Sequence, residues 1–292
     1  MAKALLFGVN GQDGHYLHQL VRDNGYEVIG VSRSKGEWIQ GNIADPSFVK
    51  ELLIAHKPEL VFHLAATSSV SHELLHEHQS TIVNGTLNIL ENVFYHSPQS
   101  RVFVTGSGLQ FMNTGKPIAE NAEFIARDAY SLARIQSVYA ARYYRSKGVR
   151  TFVGYLFHHD SPYRKEKHLN RSIADAAKAT AAGKHDPLMI GDISVEKEFG
   201  FAGDIARGIF HLVQQEDIAE ACIGTGKAYS IERWMELCFG AVNKNWKDHV
   251  KFKNNYKADF KKLVSNSSLL RSTGWKPAVE IEGLARMMMG SS

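Results

Sequence analysis

The amino-acid sequence predicts an α/β fold in which a doubly wound parallel sheet carries a smaller C-terminal cap. Two patterns lead to this prediction. Through the first half of the 292-residue chain, short apolar runs typical of strands alternate with amphipathic segments typical of helices. After about residue 157 this alternation breaks and polar, irregular segments become frequent, which favours an appended cap over a second sheet of the same kind.

The first strand, residues 5–7, leads into a turn with three regularly spaced glycines and then into a helix. This order is typical of a Rossmann-type nucleotide site, where the backbone approaches a pyrophosphate closely and a helix N-terminus faces its charge. An ordinary glycine-rich turn is the alternative, but the flanking strand and helix favour the nucleotide. The predicted cofactor-binding residues of this turn are Gly8, Asn10, Gly11, Gln12, Asp13 and Gly14.

The elements that follow repeat the strand–helix unit with short connections, which predicts parallel strands covered by helices on both faces. Residues 60–66 are apolar at nearly every position, as expected for a strand buried on both faces. The predicted strands are residues 5–7, 26–31, 60–66, 101–105 and 151–157. The predicted helices of this half begin near residue 14 and then cover residues 48–55, 81–94 and 128–146.

Beyond residue 157, the sequence predicts a polar loop at 158–167, helices at 170–182, 204–215 and 230–242, short strands at 188–190 and 221–224, and a terminal helix. No linker rich in Pro, Gly or Ser separates two domains. We therefore expect a Rossmann domain of residues 1–157 with about 202–226. Residues of about 158–201 and 227–292 would form the substrate-binding region.

Composition narrows the function classes. The formal net charge of +4 is spread along the chain, which favours a small anionic ligand and argues against nucleic acid. The two cysteines, Cys222 and Cys238, predict neither a disulfide scaffold nor a metal site. No apolar run reaches the about 20 residues that span a bilayer, and Lys3 leads directly into the first strand. We therefore expect a cytoplasmic protein with no membrane partner.

The end of the second strand bears on the choice of cofactor. An acidic residue there binds the ribose 2′-hydroxyl of NAD, but this chain has Arg33, which can pair with a 2′-phosphate. NADP is therefore favoured, with NAD possible, unless Arg33 is only a solvated loop residue. Asn42 and Ile43 follow a third strand and are expected beside the adenine.

Tyr130 and Arg134 are predicted to lie on one face of the helix at 128–146, because they are four residues apart. A tyrosine beside a cation can pass a proton to or from a hydroxyl or ketone while hydride moves to or from a nicotinamide. Ser107, just past the strand at 101–105, can hydrogen-bond the same oxygen. These three residues are the predicted catalytic group.

These motifs resemble those of the extended short-chain dehydrogenase/reductases, the NAD-dependent epimerase/dehydratase family. The similarity is greatest to GDP-mannose 4,6-dehydratases and GDP-4-keto-6-deoxymannose reductases. It rests on the Gln12-Asp13 turn and on residues 156–162 and 191–200, which resemble LFNHESP and GNLDAKRDWG. The resemblance implies that Leu64, Ala65, Ala66, Tyr130 and Arg134 also contact the cofactor. It further implies a homodimer formed through the helices at 81–94 and 128–146.

Two departures from the family pattern bear on the reaction. Arg134 stands where the family has Lys; it keeps the charge but cannot relay a proton. Leu109 aligns with the Glu that resembles the base for removal of the sugar C5 proton, and Leu cannot act as a base. Hydride transfer at sugar C4, by reduction, oxidation or epimerisation, is the leading hypothesis. The alternatives are a 4,6-dehydratase with another base and a non-catalytic dinucleotide-binding regulator.

The expected substrate is a nucleoside diphosphate sugar, which needs cations for its phosphates and polar groups for the sugar. By resemblance, Lys197, Lys257 and Arg171 are the expected cations, while His159 and Asp160 are expected to line the sugar pocket. Because Lys replaces Arg at two positions, bidentate phosphate contacts are lost and the nucleotide need not be GDP.

Two further patterns have alternative readings. The run from His72 to His76 is a literal H-E-x-x-H, which can bind zinc when it lies on one helix, but no third ligand follows at a recognised spacing. We expect His72, His76 and His78 to form a polar helix face and predict no metal. The basic and aromatic stretch at 244–262 resembles nucleic-acid binders, but in this fold we expect it to close over the nucleotide.

Overall fold

The structure is a computed structural model that describes residues 1–165, 168–184 and 186–290. Its strands, in chain order, are β1 (Lys3–Phe7), β2 (Glu27–Ser32), β3 (Ile39–Gln40), β4 (Leu60–His63), β5 (Arg101–Ser107), β6 (Arg150–Leu156), β7 (His159–Asp160), β8 (Leu188–Ile190), β9 (Glu196–Glu198), β10 (Gly200–Phe201), β11 (Glu220–Ile223), β12 (Ala228–Ser230), β13 (Val250–Phe252) and β14 (Lys262–Leu263). Its α-helices are α1 (Gln12–Asp23), α2 (Pro46–His56), α3 (Leu75–His78), α4 (Gly85–His96), α5 (Ala129–Ser146), α6 (Leu169–Ala181), α7 (Ala202–Leu212), α8 (Ile231–Gly240), α9 (Ser268–Ser272) and α10 (Ile281–Met289).

A seven-stranded parallel sheet forms the centre of the described chain, in the order β11-β6-β5-β4-β1-β2-β3. The chain builds the sheet outwards from β1 through β2 and β3, then returns to the other side of β1 and continues with β4, β5 and β6. The strand order therefore reverses between β1 and β4. In a doubly wound sheet, this reversal opens a crevice at the carboxyl ends of the strands, where ligands bind.

Alternating side chains of β1 pack on opposite faces of the sheet. Leu5 and Phe7 join the core that α2, α4 and α5 cover, whereas Ala4 and Leu6 join the core beneath α1 and α7. All four side chains are fully buried. A strand that is apolar on both faces therefore needs helices on both, and the structure confirms the predicted Rossmann-type doubly wound fold.

The C-terminal part adds a third core, in which α6, α8 and α10 pack together around the fully buried Trp234. The buried carboxylate of Glu198, on β9, joins this part to the main sheet. It accepts hydrogen bonds from the backbone N–H groups of Thr225 at 2.5 Å, Gly226 at 3.2 Å and Ser265 at 2.6 Å. Strand β9, which contains Glu198 and its neighbour Lys197, is therefore held at a fixed position relative to the end of β11.

Several element boundaries differ from the sequence expectations. The strand predicted at 60–66 ends at His63, so Leu64, Ala65 and Ala66 lie in the following loop. The helix predicted at 81–94 begins with a π-helical turn, Gln79–Asn84, and continues as α4. The predicted loop at 158–167 contains β7, which pairs with β10, while Glu166 and Lys167 lie outside the described residues. In the part of the chain that the structure describes, no helix has the length and apolar character needed to cross a membrane.

Candidate active site

The glycine turn after β1 is closely packed against the loop that follows β4. Gly8 has a φ of +91°, and a Cβ atom there would lie 2.7 Å from Ala65 N. A Cβ atom on Gly14 would lie 2.4 Å from the Gly8 carbonyl oxygen. Both positions therefore require glycine. The N-cap of α1, Gly11, has no side chain to cap the helix, so the first N–H groups of α1 stay available for an anion.

The side chains of Gln12 and Asp13 join this turn to the loop after β6. Gln12 Nε2 donates to the His159 carbonyl oxygen at 3.3 Å, and Gln12 Oε1 accepts from Ser161 Oγ at 3.1 Å. Asp13 Oδ1 lies 2.8 Å from His159 Nε2. The two motifs that carry the family resemblance therefore contact each other through their side chains, although 146 residues separate Asp13 from His159.

The Asp13–His159 pair is ionised. His159 Nδ1 lies 2.6 Å from the Phe157 carbonyl oxygen, so both ring nitrogens face acceptors and both donate. Burial opposes the charge on His159, but Asp13 and the carbonyl together raise the pKa of His159 above its ordinary value. Burial likewise opposes ionisation of Asp13, and His159 with Arg164 lowers the pKa of Asp13 below its ordinary value. The Asp13 carboxylate is thus already engaged.

Two adjoining cavities lie at the carboxyl ends of the strands. The larger, of about 400 Å³, opens beside β5, α5 and the loop after β6, and the smaller, of about 140 Å³, lies between the ends of β1 and β2. They meet at Leu64 and Ala66, which line both. Both cavities therefore lie at the crevice that the strand order predicts.

The predicted catalytic residues Ser107, Tyr130 and Arg134 all line the larger cavity. The Arg134 Cζ atom lies 5.0 Å from the centre of the Tyr130 ring, and its Nη1 donates to the Thr105 carbonyl oxygen at 2.7 Å. Ser107 Oγ accepts from the Leu109 N–H at 3.2 Å, which leaves its own hydrogen free to donate. The arrangement presents a phenol, a hydroxyl and a buried cation to one cavity.

Two buried histidines surround this group, and the sequence prediction for one of them was wrong. His78 is not part of a polar helix face: it is 1% exposed and its ring meets the Tyr130 ring edge-on, 5.5 Å away. Its Nε2 donates to the Ser69 carbonyl oxygen at 2.8 Å. His63 lies near Arg134, and burial together with that charge lowers the pKa of His63 to about 3. His63 is therefore neutral, and Arg134 supplies the positive charge behind Tyr130.

The H-E-x-x-H run does not lie on one regular α-helix. Residues His72–Leu74 form a 3₁₀ turn, and α3 begins only at Leu75. Within residues 1–165, 168–184 and 186–290, no three His, Cys, Asp or Glu side chains are grouped so that they could hold a metal ion.

Leu109 lines the larger cavity beside Ser107 and also a neighbouring cavity of about 300 Å³. It therefore faces the space where the sequence comparison expects a base. Of the described residues that line the larger cavity, Asp13 is the one with a carboxylate, and it is paired with His159. The cavity thus offers no carboxylate free to remove a proton among the described residues.

The other end of the cavity is rich in basic groups. Arg164, His158 and His168 line it, and Lys197 is their near neighbour. Burial lowers the pKa of Lys197 to about 8, with Arg164 contributing and Asp160 opposing. Burial also lowers the pKa of His158 well below its ordinary value, as do the charges of Lys197 and Arg164. Among the residues that the structure describes, no hydrogen bond or ion pair reaches the Lys197 ammonium group, which lies 5.5 Å from the Phe199 ring centre.

Besides Lys197, three expected substrate contacts do not line the larger cavity. The Asp160 carboxylate accepts from Arg164 Nε at 2.5 Å and from Asn170 Nδ2 at 2.5 Å, so this buried group fixes Arg164 instead of lining the sugar pocket. Arg171 pairs with Asp175 at 2.8 Å, because the two are four residues apart on α6. Lys257 is exposed on the surface.

The smaller cavity collects residues predicted around the adenosine. Arg33 and Ile43 line it together with Asn10, whose Nδ2 donates to Ser32 Oγ at 2.7 Å. Asn42 does not line it: its side chain is exposed and accepts from the Ala44 N–H, forming a turn. Lys165, which the sequence interpretation did not single out, is a second cation beside this cavity.

Sequence reasoning missed the residues that reach the site from distant segments. Arg164 and His168 follow the His-Asp-Ser-Pro segment, so extending that motif by a few residues would have included them. His78 and Glu77 gave no such signal, because their partners Tyr130 and Arg33 are 52 and 44 residues away.

Comparison with known proteins identifies the family. A sequence profile of the family described as GDP-mannose 4,6 dehydratase matches residues 5–288. The chain is 29% identical to GDP-mannose 4,6 dehydratase 1 of Arabidopsis thaliana, over 98% of this chain and 88% of the relative. It is 27% identical to the GDP-mannose 4,6-dehydratase of Sinorhizobium fredii, over 81% of this chain and 75% of that one.

Solved structures show the same fold. A UDP-glucose 4-epimerase of Thermotoga maritima with UDP-glucose superposes with a TM-score of 0.87 at 20% identity, covering 99% of this chain and 97% of that one. RMD of Pseudomonas aeruginosa complexed with NADPH gives a TM-score of 0.85 at 19% identity, covering 99% and 98%. The chain is thus a nucleotide-sugar-modifying enzyme of the extended short-chain dehydrogenase/reductase type, and it belongs to the GDP-mannose 4,6-dehydratase family.

Proposed function

We propose that this enzyme transfers a hydride at C4 of the hexose of a nucleoside diphosphate sugar, by reducing a 4-ketosugar, oxidising a 4-hydroxyl or epimerising C4. Tyr130 moves the proton of the C4 oxygen, and Ser107 donates a hydrogen bond that orients this oxygen. Arg134 holds a positive charge behind the Tyr130 ring. The observation that carries the proposal is the meeting of these three groups in a cavity whose one carboxylate among the described residues is already paired.

The proposed cofactor is NADP, with NAD as the alternative dinucleotide, and it supplies or accepts the hydride when bound. The uncapped N-terminus of α1 fits a pyrophosphate, since its first N–H groups lack a side-chain acceptor. Arg33 and Lys165 fit a 2′-phosphate at the smaller cavity. Residues 1–157 and about 202–226 are the proposed dinucleotide-binding region.

We propose residues of about 158–201 and 227–292 as the substrate-binding region, with the diphosphate near Lys197 and Arg164. Lys197 is 7% exposed, and a charge largely removed from water is costly unless an anion reaches it. The pKa of Lys197, lowered to about 8, fits a cation whose partner arrives only with the ligand. This supports an anionic substrate but does not select the nucleobase. The cytoplasmic location expected from the sequence stays a prediction.

Replacing Lys197 by Met should weaken binding of GDP-mannose by about 10- to 100-fold, because a charge-assisted contact to phosphate contributes about 1.5–3 kcal/mol. In the wild-type protein the affinity should fall as the pH rises through about 8, since the ammonium group loses its proton there. Isothermal titration between pH 6.5 and 9 would measure both effects. Lys257→Met is the matched control and should change neither.

An affinity in Lys197→Met equal to that of the wild-type protein would contradict this placement of the diphosphate. If the affinity of Lys197→Met for GDP-mannose still falls with rising pH as in the wild-type protein, a group other than Lys197 causes the pH dependence. Because Met keeps most of the buried apolar stem, loss of folding is not expected to confuse the result.

A GDP-mannose 4,6-dehydratase activity is the second candidate function. The observation that favours it is the extent of the family match, since the relatives that cover 98% of this chain carry that name. Such an activity needs a base for the sugar C5 proton other than residue 109. Elimination of water from GDP-mannose would distinguish it from transfer at C4 alone.

We propose a homodimer formed by α4 and α5 of two copies. Both helices expose large apolar side chains, and burying them against a second copy would remove this area from water. They are Leu87, Phe94 and Tyr95 on α4, and Leu132, Tyr139 and Tyr143 on α5.

Introducing a charge among these exposed apolar side chains of α4 and α5 should dissociate the proposed dimer. Leu87→Glu is expected to shift sedimentation from the dimer to the monomer at micromolar concentration, because it would bury an unpaired carboxylate. Met189→Glu, at an exposed apolar residue of β8, should leave the dimer intact. A monomeric wild-type protein would refute the proposed dimer.

A further inference from the structure

The Glu77 carboxylate joins Arg33, which lines the smaller cavity, to Thr67, which follows the cavity-lining Ala66. Its Oε1 accepts from Arg33 Nη2 at 3.1 Å and from Thr67 Oγ1 at 2.5 Å. Arg33 directly follows β2, and Thr67 lies in the loop after β4. Since β1 lies between these two strands in the sheet, the bridge spans the crevice beside the glycine turn.

The position of Glu77 is fixed by its helical segment. Four residues later the same segment contributes Thr81, which is buried and lines the smaller cavity. The hydrogen bond from Thr67 and the charge of Arg33 lower the pKa of Glu77, so it is ionised at neutral pH. A fixed negative charge therefore stands 3.1 Å from the cation that would bind a 2′-phosphate.

Resting on the proposed dinucleotide site, we propose that Glu77 determines the selectivity between NAD and NADP. The second strand lacks the acidic residue that accepts the ribose 2′-hydroxyl of NAD, whereas Glu77, from a different element, holds a carboxylate against Arg33 directly after that strand. A 2′-phosphate must compete with this carboxylate for Arg33 and is repelled by its charge. NAD has no 2′-phosphate, so its binding leaves the hydrogen bonds of Glu77 with Arg33 and Thr67 intact. The enzyme therefore accepts both dinucleotides instead of selecting NADP strongly.

Binding of NAD and NADP to Glu77→Gln tests this role. Glutamine has the same size as glutamate and keeps an oxygen that can accept hydrogen bonds from Arg33 and Thr67, but it lacks the negative charge. NADP should bind about five-fold more tightly and NAD about five-fold more weakly, the factor that a partly exposed charge pair of this kind supplies. Isothermal titration gives both dissociation constants without any sugar substrate, and the shift in melting temperature with each dinucleotide is an independent readout.

Glu73→Gln is the matched control. Glu73 is exposed and lies four residues before Glu77, so this substitution removes the same charge at a residue that does not pair with Arg33. Its ratio of the two affinities should equal that of the wild-type protein. Weaker NADP binding in Glu77→Gln would overturn the proposal, since Glu77 would then hold Arg33 in place for the phosphate. An unchanged ratio with tight binding of either dinucleotide would overturn this inference alone. Binding of neither dinucleotide by the wild-type protein would overturn the proposed cofactor as well.

Discussion

Replacing Tyr130 by Phe is expected to lower the turnover of a 4-ketosugar nucleotide by about 100- to 10,000-fold, the usual contribution of a positioned acid or base. The substitution removes only the hydroxyl group that passes the proton. The ring and its contact with Arg134, 5.0 Å from the guanidinium carbon, remain. Binding of the dinucleotide should therefore change little. Steady-state rates, with dinucleotide affinity measured separately, check both expectations.

Tyr143→Phe controls for the loss of a phenol from the same helix, because Tyr143 is exposed on α5 and does not line the cavity. It should retain the wild-type rate. Turnover that persists undiminished in Tyr130→Phe would rule out the assigned proton transfer. If the variant loses dinucleotide binding together with its rate, Tyr130 acts mainly in binding the cofactor.

The second large effect is expected at Leu109. Leu109→Glu should introduce or accelerate loss of water from GDP-mannose by about 100- to 10,000-fold, because it restores a carboxylate base beside Ser107 in the larger cavity. Leu109 is only partly buried, so the new carboxylate can remain hydrated and ionised. Mass spectrometry of the nucleotide sugar would detect the product by the mass of the missing water.

Leu109→Gln is the control, since glutamine has the same length as glutamate and cannot act as a base. It should show no gain. A wild-type protein that eliminates water as fast as Leu109→Glu would show that the cavity already contains a competent base, which would favour the dehydratase alternative.

Local sequence patterns were sufficient to predict the central sheet. A strand such as β1 is apolar on both faces, so it predicts its own burial and helices on either side. The glycine turn was also predictable from its spacing. Contacts within the motif explain the requirement for Gly14, whereas Gly8 is also constrained by Ala65 of the distant loop after β4. The same holds for Ser107, Tyr130 and Arg134, whose spacing follows from one strand end and one helix face.

The remaining features depend on contacts between distant segments. Asp160 was expected to face the sugar, yet its burial among Arg164 and Asn170 makes it a partner of those residues instead. His78 was expected on a polar surface. In the structure it ends α3, just before the π-helical turn that leads into α4, and its ring packs against Tyr130. A sequence pattern reports which face of an element is polar. It does not report which distant side chain meets that face.

The central claim is that this enzyme moves a hydride at sugar C4 without removing water. The most direct measurement incubates the purified protein separately with GDP-mannose plus NADP and with GDP-4-keto-6-deoxymannose plus NADPH, and follows the sugar nucleotides by mass spectrometry. We predict that the ketosugar gains two hydrogens as NADPH is oxidised, while no dehydrated product forms from GDP-mannose. Formation of a 4-keto-6-deoxy product from GDP-mannose, with no reduction of the ketosugar, would contradict the claim.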